Sequence, residues 1–277
     1  GETKEFCNKP MAACLMGLED VSAGVELLQK RYGVPTFAFP ENAMRAMAAK
    51  SRFSEWVRSK IRGYRKFEAD KESVQKLFHE EFDAGRPQLI EIRALEALKA
   101  YGFSTVPFKL ARSADEAVAV AGELGFPVVM KIVGPKILHK TDVGGVRLDL
   151  RDGPAVREAY DTMLASVRSR LGNDVEIWGV LMQKMMDRGK EVILGVTRDK
   201  RFGPVLMVGL GGIYTEILKD VAFRLAPIRE NEADEMIREI RSIKLLQGAR
   251  GEPPSDLSAV AECLMRLSQC VTAHPEI

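Results

Sequence analysis

The sequence lacks most of the features that settle a protein's class at a glance. Its four cysteines, Cys7, Cys14, Cys263 and Cys270, form no CxxC pair, and no Cys/His set has zinc spacing. That excludes a dithiol redox motif and a zinc module, so the four are expected to be reduced thiols. Cys263 and Cys270 would share one face of a helix. No apolar run approaches the roughly 18 residues of a membrane span. The opening residues do not read as a signal peptide, so a cytoplasmic protein without membrane contact is expected. Charge of one sign is also missing: 41 Lys and Arg against 39 Asp and Glu leave a formal +2, which gives no pull toward nucleic acid. The basic run 58–66 reads as a solvated linker or helix end, with an interaction patch as the alternative. There are no repeats of domain-building length and no low-complexity tract. Histidines number three, His79, His139 and His274, and the first and last stand without a local partner.

What is present is a chain of 277 residues with 46% hydrophobic content, enough for one large or two medium domains. Residues 9–58 read as βαβα: "KPMAACLMG" and "VPTFAF" as strands, "DVSAGVELLQKRYG" and "PENAMRAMAAKSRFSEWVRSK" as helices. This alternation predicts parallel pairing, yet two strands are too few for a stable open sheet. Residues 61–85 are polar and are read as a linker or a peripheral helix. From 86 on, "PQLIEIRALEALKAYG" is amphipathic, and "SADEAVAVAGELG" opens with a capping box of Ser113 and Glu116. Strands are expected at "FSTVPFKLA", "FPVVMKIV", "GVRLDL" and "VEIWGVLMQKMM". "DGPAVREAYDTMLASVRSRLG" should be a helix, and "KEVILGVTRDKRFGPVLMVGLGG" a hairpin turning at Arg198-Asp199-Lys200. "ENEADEMIREIRSIKLLQG" and "SDLSAVAECLMRLSQCVTAHPEI" are each expected to form one helix.

Chemistry concentrates in "MKIVGPKILHKTDVGGV". Lys131 ends a buried strand, where an ammonium must either snorkel to water or meet an anion such as phosphate. His139 lies beside Lys140 and close to Gly144 and Gly145, whose amides would complete an anion-friendly loop with the lysines. A neutral imidazole is a competent nucleophile, so this histidine is a candidate phosphoryl acceptor, against the plainer reading of a structural histidine. Gln183 at a strand end and Glu191 at the start of the next could face an adenine and a ribose, or be parts of an ordinary hairpin. "VGLGGIYTEILKD" is not the dinucleotide fingerprint, since no third glycine follows at the required position. Glu216 and Asp220 would share one helical face and could hold Mg²⁺, or be a solvated pair. Arg250, in "LLQGARG", is either a phosphate contact or a loop charge.

Taken together, "FPVVMKIVGPKILHKTDVGGV", "KEVILGVTRDKRFGPVLMVGLGGIYTEILKDVAFRLAP" and "LLQGARG" resemble the ATP-grasp part of NDP-forming (ADP-forming) acyl-CoA synthetases such as acetate–CoA ligase. Residues 9–58 are similar to the end of that family's CoA-ligase region. The resemblance implies an α/β chain in three parts. Residues 1–60 would be a partial, flavodoxin-like CoA-ligase segment, 61–85 a linker, and 86–277 an ATP-grasp domain incomplete at its C-terminal end. It implies the reaction of acid, CoA and ATP to acyl-CoA, ADP and phosphate through phosphohistidine. His139 would carry phosphate; Lys131, Lys140, Gly144, Gly145, Gln183 and Glu191 would bind the nucleotide; Arg250 would meet phosphate and Glu216 and Asp220 a metal. ATP or ADP, Mg²⁺ and coenzyme A are the implied cofactors, with the CoA site mostly outside this chain. The implied partners are a carboxylic acid, the remaining domains or subunit of a synthetase, and further copies in a homo-oligomer. The family's first phosphohistidine segment and an acidic Asp-x-Asn-Pro segment are not in this chain, so the chain would be a fragment or one component of a split enzyme. Two other readings fit the same residues: a degenerate module that senses nucleotide or acyl-CoA without turnover, and a different ATP-grasp ligase.

Overall fold

The computed structural model describes residues 9–16, 22–58, 63–137, 139–187, 189–212, 219–249 and 251–277. The chain divides into two units, Gly1–Ile61 and Arg62–Ile277.

In the first unit the βαβα reading holds. Strand β1 (Ala13–Cys14) pairs in parallel with β2 (Thr36–Phe37). Between them helix α1 (Ser22–Glu26) continues as a π-helical turn over Leu27–Arg31. Helix α2 (Pro40–Arg58) starts on the proline that suits a first turn and carries Glu41 near its positive end. A sheet of two short strands cannot cover a helix of that length. Ala43 is the one buried residue of α2, while Met44, Phe53 and Trp56 stand exposed.

The second unit opens inside the expected linker. Helix α3 (Lys71–Asp83) forms there because Asp70 caps it, accepting from Ser73 N at 3.0 Å, and because Val74 and Leu77 find burial. Helix α4 (Glu91–Ala100) follows. Strands β3 (Phe108–Ala111), β4 (Val128–Val133), β5 (Val146–Leu150) and β6 (Gly179–Lys184) make an antiparallel sheet in the order β3-β6-β4-β5. Helices α5 (Ala114–Leu124) and α6 (Gly153–Leu171) cover one face of it. The capping box of α5 is offset. Ser113 Oγ accepts from Glu116 N, but the Glu116 carboxylate accepts from Arg112 N, one residue before the cap. The core of this layer is Met130, Ile132, Val180 and Met182 from the sheet against Val120, Tyr160 and Met163 from the helices.

A second antiparallel sheet runs β7 (Val192–Asp199), β8 (Gly203–Leu210), β9 (Val221–Leu225), with the expected hairpin between β7 and β8. Helices α7 (Glu230–Glu239) and α9 (Leu257–Ala273) pack on it through Leu206, Val208, Met236, Ile237 and Leu264. The stretch expected as one helix from Glu230 breaks after Glu239 and resumes as α8 (Ile243–Leu246). The break has a physical cause. Asp220 accepts the amides of Arg241 and Ser242 at 2.8 and 2.7 Å, which withdraws them from the helical ladder.

His274 and His79 also differ from expectation. His274 is buried; its Nδ1 donates to Gln75 Oε1 at 3.0 Å, so its Nε2 accepts from the Tyr101 hydroxyl at 2.7 Å. His79 Nε2 lies 3.4 Å from Gln75 Nε2. Their partners are distant in sequence or one helical turn away. Cys14, Cys263 and Cys270 are free thiols, with Cys270 buried. Among the described residues no helix is long and apolar enough to cross a membrane.

Candidate nucleotide and phosphate site

Side-chain alternation along β4 sets the geometry. Met130 and Ile132 point into the helix-covered core, so Lys131 points to the opposite face. On β6, Val180 and Met182 join the core, and Leu181 and Gln183 take the face of Lys131. In the ladder Lys131 stands opposite Leu181 and Val129 opposite Gln183, while Gln183 also faces Phe108 of β3. Lys131 and Gln183, 52 residues apart by their numbering, are therefore diagonal neighbours on one surface. Gln183 is 7% exposed.

The Lys131 ammonium does not simply snorkel. Its Nζ lies 2.5 Å from Glu91 Oε1, and Lys140 Nζ lies 3.2 Å from Glu91 Oε2. One carboxylate thus bridges the strand-end lysine and the lysine next to His139. The three side chains are 28%, 22% and 23% exposed for Lys131, Lys140 and Glu91. Burial pushes the Glu91 carboxyl up, but the two ammoniums outweigh it, Lys131 first, and hold it below the usual carboxylate range. Each ammonium has three donors, and one carboxylate against two lysines leaves the cluster at +1.

The loop carrying His139 is braced from below. Ser166 of α6 donates to Val143 O at 3.2 Å, Arg170 donates to Asp142 O, and Arg147 donates to Gly144 O at 2.8 Å. The glycine pair has a different job from the expected one. Gly144 N donates to Thr141 O at 3.0 Å and Gly145 N to Lys140 O at 2.7 Å, so both amides are spent inside the turn. Gly144 has φ +70°, which favours glycine, and a Cβ on Gly145 would lie 2.3 Å from Ile132 Cγ2. The pair shapes the loop and lets it lie on β4; the positive charge comes from the lysines. His139 itself is exposed.

Glu191 immediately precedes β7, with its carbonyl accepting from Gly211 N at 2.8 Å. With Gly189, Lys190, Gly211, Leu245 and Glu252 it lines a cavity of about 350 Å³. Lys190 is held there by Glu252 at 3.0 Å and by Leu245 O. Asp220 lies just before β9, outside any helix, and is 6% exposed, both oxygens taken by the amides named above. Glu216 and Arg250 lie outside the described residues. Among those described, no three His, Cys, Asp or Glu gather as a metal centre. Glu91 is the site residue that pattern reading missed. Its one signal was a first-turn position on an amphipathic helix, where glutamate is common for its own reasons.

A family model described as an ATP-grasp domain matches residues 81–277. The ADP-forming 4-hydroxybutyrate–CoA ligase of Nitrosopumilus maritimus is 44% identical over 276 residues, covering 100% of this chain and 39% of that protein. Subunit beta of the ADP-forming acetate–CoA ligase I of Pyrococcus furiosus is 47% identical over 189 residues, covering 68% of this chain and 81% of the subunit. Among solved structures, an acetyl-coenzyme A synthetase 1 of Ca. Korarchaeum cryptofilum, in complex with coenzyme A and Ca-AMPCP, superposes with TM-score 0.69 at 41% identity, over 72% of this chain and 86% of that one. A Mg-AMPPCP complex of the same protein, with its phosphohistidine segment pointing towards the nucleotide binding site, gives TM-score 0.63 at 37% identity, over 72% and 85%. The chain spans 39% of the length of the N. maritimus relative and of a similar Archaeoglobus fulgidus acetate–CoA ligase.

Proposed function

The chain belongs to the ATP-grasp family of ADP-forming acyl-CoA ligases, and from that premise we propose that it is the nucleotide-binding, phosphoryl-transferring portion of such a ligase. The whole enzyme would convert a carboxylic acid, coenzyme A and ATP to acyl-CoA, ADP and phosphate. The observation that carries this reading is the half-buried cluster of Lys131 and Lys140 on one carboxylate, with net charge to spare, next to an exposed His139. Phosphoryl transfer asks little of a protein beyond positioning and charge neutralisation. The two ammoniums would neutralise oxygens of the transferred group. A ring nitrogen of His139 would attack the terminal phosphorus of ATP; the P–N bond forms, the bond to the bridging oxygen breaks, and ADP leaves with that electron pair. A carboxylate oxygen of the acid would then attack the phosphohistidine phosphorus; the O–P bond forms, the P–N bond breaks with its electron pair left on the imidazole, and the resulting acyl phosphate passes its acyl group to the coenzyme A thiol sulfur with phosphate as the leaving group.

Gln183, on the lysine face, and Glu191, at the 350 Å³ cavity, would orient the base and sugar. A nucleotide-borne Mg²⁺ commonly needs one or two protein carboxylates. Among the described residues no three His, Cys, Asp or Glu side chains gather to hold it. Coenzyme A and the acid would be held by the other domains or subunit, a reading supported by the P. furiosus relatives being beta subunits. A cytoplasmic homo-oligomeric assembly completes the proposal.

The test is labelling of the full-length protein with terminally labelled ATP and Mg²⁺. Acid-labile phosphate should form in the wild type and vanish in His139→Ala. Label that persists in the variant overturns the role of His139.

A further inference from the structure

Three elements meet at one carboxylate. Glu91 is the first residue of α4, Lys131 ends the exposed register of β4, and Lys140 lies on the loop that follows. Glu91 is 40 residues from Lys131 in sequence, and nothing in the helix itself requires it to reach out. The preceding residue, Ile90, makes no side-chain cap, so a first-turn glutamate could have served the helix amides; its oxygens instead go one to each lysine.

We propose that Glu91 is a positioning residue for phosphoryl transfer: it holds the Lys131 and Lys140 ammoniums side by side so that both address one phosphoryl group, and it fixes the loop bearing His139. This rests on the function proposed above. A glutamate present only to compensate a buried lysine would need one partner. Two lysines on one carboxylate leave a partly desolvated +1, which calls for a further anion. Each ammonium keeps two of its three N–H donors for that anion. The lysines come from a strand and from a loop, and the side chain that ties their ammoniums together is Glu91. His139 is bonded through the chain to Lys140, so the same bridge limits the travel of the imidazole.

The experiment uses the full-length ligase and two readouts, nucleotide affinity and the single-turnover rate of phosphohistidine formation. Glu91→Gln keeps shape and adds a unit of local positive charge. Nucleotide affinity should stay equal or rise, while the transfer rate falls at least about tenfold, because misplacement of about 1 Å can cost on the order of a hundredfold. Glu91→Asp keeps the charge but is one methylene too short to bridge both lysines, and should show the same rate defect. Lys140→Met should cost much less rate in the Glu91→Gln background than alone, since the bridge is already gone. A glutamate with only a structural role would move affinity and rate together through loss of folded protein. A wild-type transfer rate in Glu91→Asp, or additive effects of Glu91→Gln and Lys140→Met, overturns the proposal. Absence of label in the wild type overturns the proposed function and this inference with it; a labelled wild type with an unaffected Glu91→Asp overturns this inference alone.

Discussion

Asp220→Ala separates two jobs for one buried carboxylate. In the structure Asp220 accepts the Arg241 and Ser242 amides at 2.8 and 2.7 Å and holds the chain break between α7 and α8. Hydrogen bonds to a charged acceptor contribute about 1.5–3 kcal/mol each, so losing both should cost about 3–6 kcal/mol. The two amides have no helical carbonyl to fall back on unless α7 extends, and extension would drag Ile240 out of the core, where it is 1% exposed. Asp220→Asn keeps one acceptor oxygen and should lose about half as much. Burial raises the Asp220 carboxyl, while the Ser242 and Arg241 hydrogen bonds bring it below the ordinary value overall. A depressed folded-state pKa means that the contribution is complete above the unfolded carboxylate value of about 3.9 and is lost as pH falls through the lower folded value. Urea unfolding at neutral pH without Mg²⁺ is the assay. A loss under about 1 kcal/mol for Asp220→Ala, coupled with a large loss of Mg²⁺-dependent activity, would refute the capping role and restore Asp220 as a metal ligand.

Other outcomes follow from the same geometry. Gly145→Ala would set a Cβ 2.3 Å from Ile132 Cγ2, an overpacking cost of about 1–3 kcal/mol by urea unfolding, partly relieved when Ile132→Ala is added. Tyr101→Phe should cost about 1–2 kcal/mol, because it leaves His274 Nε2 buried without its 2.7 Å donor. Burial lowers the His274 pKa; a depressed folded value means that stability is present above the unfolded imidazole value and falls as pH drops below it. Melting temperature should therefore drop between about pH 7.5 and about pH 5.5, and His274→Gln should flatten that slope; an equal slope in the variant rules His274 out as its source.

Much of the fold was legible because its signals are local. Ser113 capping α5 and the hairpin at Arg198–Lys200 each depend on residues within four positions of one another. The parallel pairing of β1 and β2 follows from alternation alone. The helix expected from Glu230 through the "KLLQG" stretch failed for the opposite reason. Its propensity and apolar spacing favour continuity across 240–242, and what breaks it is a carboxylate about twenty residues upstream that no window of helical length contains.

The site divides along the same line. Lys131 and Gln183 could be singled out as residue types at strand ends, but their meeting on one face depends on the β4–β6 register, which the sequence does not print. Gly144 and Gly145 were legible as glycines and misread as donors, because composition cannot say whether an amide faces outward or closes its own turn; here Thr141 and Lys140 carbonyls take both. The consequence is physical. With these two glycine amides committed, the charged donors that the cluster offers an anion are the Lys131 and Lys140 ammoniums, whose positions are soft. A soft pair of cations needs a fixed counter-charge to keep its spacing, and the residue that supplies one, Glu91, lies on a helix 40 residues away from Lys131. The identity of the lysines is thus a property of the loop sequence, whereas their usefulness as a pair is a property of the tertiary fold.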